Sequence, residues 1–128
     1  MSQTADDGRA KPYDLEERTF RFAKRVVALV DKLPRTISTI EIGKQLVRSA
    51  GSVGANYIEA NEALSRKDFQ VRIKICRKEA KESCYWLRLL SCAADQDGER
   101  ENLFKESTEI MKIFGSIVEK TNSRKESL

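Results

Sequence analysis

Lys67, Lys74, Lys78 and Lys81 follow one another at intervals of seven, four and three residues, the spacing that sets side chains along one face of an α-helix. Projected at about 100° per residue from Phe69, they share with Tyr85 a band from about 120° to 180°, opposite an apolar seam of Phe69, Ile73, Cys76, Ala80, Ser83, Leu87 and Leu90. A line of cations at helical pitch can follow a phosphate backbone, because each contact releases condensed counterions. Together with Lys44, Arg48 and Arg88 it forms a candidate nucleic-acid-binding set. The charge is regional: residues 44–88 hold ten Lys or Arg against five Asp or Glu, within a chain whose net charge is +4. Without base-reading loops or exposed stacked aromatics, such contact is expected to be electrostatic and weakly specific. The bland alternative is a solvated face that keeps the protein soluble.

Other residue types point away from catalysis. The chain has no histidine, which removes Ser-His and Cys-His nucleophile pairs, His-bearing zinc sites and a neutral-pH histidine switch. Glu79 and Glu82 are a carboxylate pair, but no cleft-forming loop accompanies them, so salt bridges to a neighbouring subunit are expected instead. Cys76, Cys84 and Cys92 are eight residues apart, which on one helix turns each about 80° from the last with roughly 12 Å of rise. They cannot bridge one another, and are read as small apolar side chains in a reducing compartment, without a metal or cofactor. Arg48, Ser52 and Glu59, with Asn56 at their edge, line the polar side of a helix and suit a polar network between helices or subunits.

A second apolar stripe shares the helix of the lysines. Val71, Ile75, Trp86 and Leu89 fall at about 200° to 260°, and one helix cannot turn both stripes to a single core. An outward aromatic anchor is a mark of protein–protein contact. Val71, Ile75, Glu79, Glu82, Trp86 and Leu89 are therefore the candidate oligomer interface.

Four helices must position these groups. Phe22, Val26, Leu29 and Leu33 recur at helical spacing between Asp14 and Leu33, where Pro34 stops the first helix. Ser38-Thr39-Ile40-Glu41 has the pattern of a capping box and opens a second helix carried to Leu64. Gly43, Val47, Ala50, Gly54, Tyr57 and Asn61 lie on one seam of it, flanked by Leu46, Val53 and Ala60; internal glycines on a seam predict close approach of a neighbouring backbone. Ser65 and Asp68 start the third helix, which runs to about Ala93. Asp95-Gln96-Asp97-Gly98 reads as a plain turn, after which Glu99 and Glu101 open a fourth helix with Leu103, Ser107, Ile110, Phe114 and Ile117 on its seam, fading after Thr121.

The expected fold is all-α, an antiparallel up-and-down four-helix bundle over residues 14–121, with an arm over 1–13 and a polar tail over 122–128. At 128 residues one core suffices. Six Gly and two Pro, with no Pro after residue 34, are too little punctuation for a many-stranded sheet protein. The longest apolar run, Val26 to Val30, is far short of a membrane span, and Asp6 and Asp7 sit where a signal peptide would be basic; a cytoplasmic protein without membrane partners is expected.

The stretch GKQLVRSAGSVGANYIEA from Gly43 to Ala60, followed by Lys67-Asp68-Phe69 and by KEAKESCYWL from Lys78 to Leu87, resembles the bacterial 23S rRNA intervening-sequence proteins over roughly residues 16 to 120. That resemblance implies an antiparallel four-helix bundle that assembles as a homopentamer. It also implies a ribosomal setting for some members, which are encoded inside insertions in large-subunit rRNA genes. A similar pentameric basic bundle contacts RNA and polymerase as the accessory subunit of retroelement reverse transcriptases. The expectation is thus a non-enzymatic homo-oligomer that associates with RNA or an RNA–protein complex through its basic surface, with no small-molecule substrate. An oligomeric adaptor for a protein partner, its positive field steering an acidic surface, is the alternative.

Overall fold

Four segments whose apolar residues repeat every three or four positions form four helices: α1 (Leu15–Asp31), α2 (Ile37–Asn61), α3 (Arg66–Leu89) and α4 (Ala94–Ser127). The computed structural model describes residues 14–127, and the arm expected over 1–13 lies outside them. No strand is present among the described residues.

Local chemistry sets the helix boundaries. Thr36, in extended backbone, caps α2: its hydroxyl accepts from the Thr39 amide at 3.1 Å, and the Thr39 hydroxyl accepts from the Thr36 amide at 3.0 Å. The capping box therefore lies two residues before the expected Ser38–Glu41, because Thr39 also donates to the Pro34 carbonyl and so ties the cap to the proline turn. Ser65 caps α3 as expected, accepting from the Asp68 amide at 3.0 Å.

The segment from Asp95 to Gly98 is not a plain turn but the start of α4. Asp95 and Asp97 complement the helix dipole there, the Gln96 amide donates to the Lys32 carbonyl at 3.0 Å, and Asp97 holds Arg100 at 2.7 Å. Arg100 in turn donates to the Leu87 carbonyl at 3.0 Å, supplying one of the unpaired acceptors at the end of α3. At its other end α4 stays helical through Ser127, beyond the expected fade after Thr121.

Connections of five, four and four residues are too short to run back along helices of this length, so each helix must lie antiparallel to the one before it. Cross-helix pairs show the same arrangement. Between α2 and α3, Arg48 meets Glu82, Ser49 meets Ser83 and Asn56 meets Arg72, the partner number falling as the first rises. Arg18 opposite Glu106 and Arg25 opposite Glu99 show that α1 and α4 are antiparallel too. Backbone contacts run around the ring α1–α2–α3–α4, and side chains from diagonal helices meet in the middle, where the Tyr57 and Phe114 rings lie 5.6 Å apart.

The centre is filled by Phe22, Val26, Leu46, Val53, Ile73, Leu87, Leu103, Ile110 and Phe114. The α3 seam follows the expected residues, with Phe69 partly buried at its outer end. The α2 seam is rotated: Leu46, Ser49, Val53 and Ala60 are buried, while Val47 and Asn61 are turned out. A helix held between two neighbours buries the line midway between them, and Ser49 brings α2 close to α3 through a 2.9 Å hydrogen bond to Ser83. The expected close approach of a neighbouring backbone occurs on the α1 side. A Cβ on Gly43 would come 3.0 Å from Val30 Cγ1, and one on Gly54 would come 3.1 Å from Thr19 Oγ1. Gly51 faces open space and leaves α2 unbroken.

Candidate functional site

The charged residues sort themselves by the seam on which they lie. On the seam between α2 and α3, Arg48 donates to Glu79 at 3.3 Å and to Glu82. Glu82 also accepts from the Trp86 indole N–H at 3.3 Å. Two turns along, Arg72 donates to Asn56 at 3.0 Å, and the Asn56 amide donates to the Ser52 hydroxyl and carbonyl. The expected polar set is thus divided: Ser52 and Asn56 join Arg72, Arg48 pairs separately with Glu79 and Glu82, and Glu59 stands outside both on the exposed side of α2.

Within the chain, the ion pairs of Glu79 and Glu82 are made with Arg48. The physical reason is burial: Glu79 is only 7% exposed, and a carboxylate withdrawn from water needs a cation at hand. Antiparallel pairing supplies Arg48, which is thereby taken out of the line of uncompensated cations.

The seam between α1 and α4 is also paired. Arg18 contacts Glu106 and Glu109 at 2.8 Å each, and these hydrogen bonds hold its guanidinium charged still more firmly than usual. Arg25 grips Glu99 through two hydrogen bonds of 2.9 and 3.0 Å, which hold the Glu99 carboxyl below its usual range.

The outer face of α3 differs. Lys67, Lys74, Lys78, Lys81 and Arg88 are exposed and make no ion pair among the described residues. Arg77 leans across the α3–α4 seam, its Cδ 3.7 Å from where a Cβ on Gly115 would stand, and it too has no acidic partner among them. On α4, Lys105 and Lys112 are exposed and likewise unpaired. Lys44 belongs elsewhere, on α2 beside Glu41 at 3.8 Å.

Tyr85 lies within this band of cations and is 58% exposed, although no exposed stacked aromatic was expected. Its ring meets Trp86 edge to face, with 5.0 Å between centroids and 78° between planes. Its angle on the helix, the same as that of the lysines, places it in this band from the sequence alone. Its contact with Trp86 depends on rotamers, which spacing does not reveal.

Of the apolar stripe, Val71 and Leu89 are each 48% exposed, while Ile75 and Trp86 are half-buried, Trp86 against the core. A separate groove of about 660 Å3 opens between the end of α1 and the first half of α2, walled by Val30, Leu33, Ile40 and Val47, with Arg35 and Lys44 beside them.

The three cysteines are buried or half-buried. Cys76 is fully buried and donates to the Val53 carbonyl at 3.5 Å; burial pushes its thiol up to about 12. Cys84 is half-buried beside the Ser107 hydroxyl at 3.0 Å, and burial raises Cys92 as well. All three are free thiols. Among the described residues no three His, Cys, Asp or Glu side chains are placed to hold a metal ion, and no helix is long and apolar enough to cross a membrane.

Comparison with known proteins bears on this architecture. The family described as 23S rRNA-intervening sequence protein matches residues 12–116. A crystal structure of a protein of unknown function from the S23 ribosomal protein family of Bacteroides thetaiotaomicron VPI-5482 is 36% identical, covers 81% of this chain and 97% of its own, and superposes with a TM-score of 0.68. No curated protein matches the chain. The matched span takes in α1, α2, α3 and most of α4, including the α2–α3 network and the cationic face of α3, and the chain therefore belongs to the 23S rRNA-intervening sequence protein family.

Proposed function

We propose that this chain is a non-enzymatic bundle that self-associates and binds structured RNA through the outer face of α3. One observation carries the reading. Arg18 and Arg25 on the α1–α4 seam and Arg48 on the α2–α3 seam are matched by carboxylates, whereas Lys67, Lys74, Lys78, Lys81 and Arg88 have none among the described residues. Uncompensated cations on a rigid helix present a positive field with little side-chain reorganisation, which is what a phosphate backbone requires. Arg77, Lys105 and Lys112 extend that field toward α4. Val71 and Leu89, with Ile75 and Trp86 beside them, form the self-association face, five copies being the number that the family resemblance implies. Each added copy repeats the cationic face and strengthens binding by avidity.

The test is fluorescence-anisotropy binding of nuclease-treated protein to an rRNA stem-loop and to an unrelated duplex over a salt series. Binding should weaken steeply with salt. The triple variant Lys74→Glu, Lys78→Glu, Lys81→Glu should lose at least tenfold in affinity and lower the salt slope by about three. Unaltered affinity in that variant would refute the site.

A second reading, an adaptor for an acidic protein partner, is favoured by the groove of about 660 Å3, where apolar walls lie beside Arg35 and Lys44. Absence of RNA binding even at low salt would move the assignment to it.

A further inference from the structure

We infer that Tyr85 is a stacking platform for an unpaired RNA base, so that this protein distinguishes loops and bulges from continuous duplex. The inference rests on the RNA reading above and refines it.

Three observations meet at this ring. It is open to solvent, at 58% exposure, on the outer face of α3 that carries Lys74, Lys78, Lys81 and Arg88, with the half-exposed Leu89 one turn on. It is held in place: Trp86 stands edge to face against it at 5.0 Å, Trp86 packs against the core and donates to Glu82, and Glu82 is gripped by Arg48. An aromatic braced through this chain gives up little rotamer freedom when a base settles on it. Its neighbours on the helix surface, Lys81 four residues before and Arg88 three residues after, are exposed cations with no ion pair among the described residues.

A base has a free π-face only when it is out of a continuous stack, and a stacked base must be accompanied by its phosphates. Tyr85 supplies a surface for the first, and Lys81 and Arg88 supply charges for the second. Within a duplex, neighbouring pairs cover both faces of each base, leaving only the cationic contacts. The contribution of Tyr85 is therefore selective for unpaired nucleotides, whereas that of the lysines is common to both forms.

The experiment uses the full chain with two probes, an RNA hairpin carrying 2-aminopurine at an unpaired loop position and a blunt duplex of the same length. Wild type and Tyr85→Phe should bind the hairpin equally and quench 2-aminopurine fluorescence. Tyr85→Ala should bind the hairpin roughly 5- to 100-fold more weakly without quenching, and bind the duplex within about twofold of wild type. Equal hairpin affinity for wild type and Tyr85→Ala, with binding otherwise intact, would overturn the stacking role alone. Failure of wild type to bind either probe at low salt would overturn the RNA reading with it. Light scattering on the same variants closes the remaining route: a change of assembly mass in Tyr85→Ala would place the ring between copies of the chain and discard the inference.

Discussion

A Cβ on Gly54 would meet the Thr19 side chain, 3.1 Å from its hydroxyl oxygen and 3.4 Å from its Cβ, whereas a Cβ on Gly51 would meet nothing within 4 Å. Both glycines lie inside one helix, and their substitution by alanine should have opposite signs. Gly51→Ala should stabilise by about 0.5–1 kcal/mol, the ordinary difference in helix propensity. Gly54→Ala gains the same propensity but crowds a side chain that is fully buried and whose hydroxyl donates to the Leu15 carbonyl at 2.6 Å, so Thr19 cannot move aside freely. A net loss of about 1 kcal/mol is expected. Urea unfolding of the two variants against wild type checks the pair, and stabilisation by both would show that α1 can shift away. The seam of Gly43 and Gly54 announced a close neighbour and left Gly51 off it; that the neighbour is α1 depends on how the helices pack.

Helices α1 and α4 come from opposite ends of the sequence and are fastened by Arg18 with Glu106 and Glu109 and by Arg25 with Glu99. Glu99 titrates below its usual range, chiefly because Arg25 donates to it. A carboxyl depressed in the folded state contributes stability above its unfolded pKa of about 4.3, and that contribution is lost as pH falls through the folded value. The pair is about 40% exposed, so its worth is limited to roughly 1 kcal/mol. Glu99→Gln should therefore be less stable than wild type near pH 7 by up to about that amount, and the two should converge in acid, once the wild-type carboxyl is protonated. Denaturant unfolding at both pH values measures this; a constant gap would assign the effect to something other than the charge. At the element scale the boundaries were legible at Pro34 and Ser65, whereas the cap of α2 is Thr36 and not the expected Ser38. The start of α4 was not legible, because Asp95 to Gly98 has the composition of a turn and is helical through bonds to distant carbonyls at Lys32 and Leu87.

At the scale of the whole molecule, α3 carries two adjacent stripes. Lys67, Lys74, Lys78, Lys81 and Arg88, without ion pairs among the described residues, lie on its outer side, and Val71 and Leu89 lie beside them toward α2, next to the ion pairs of Arg48 with Glu79 and Glu82. If Val71 and Leu89 are covered by another copy, as proposed, then light scattering of wild type at micromolar concentration should return several times the mass of one chain. The double variant Val71→Glu, Leu89→Glu should fall toward the single-chain mass with its helical circular dichroism intact, since both side chains are half-exposed and a carboxylate between copies is costly. A single-chain mass for the wild type would remove self-association from the proposed function.

By itself the sequence determined four amphipathic helices, their antiparallel order, nearly all of the α3 and α4 seams, and the alignment of Lys67, Lys74, Lys78 and Lys81. These follow from local rules: 3.6-residue periodicity, capping hydroxyls, and connections too short to do anything but reverse the chain. Only the tertiary structure decided which charges are compensated. Arg48 and the lysines are alike as cations on helices, yet Arg48 is opposite Glu79 and Glu82 while the lysines of α3 face outward. Pairing between residues 31 and 34 positions apart depends on the azimuth of each helix in the ring, and so does the bracing of Tyr85 through Trp86, Glu82 and Arg48.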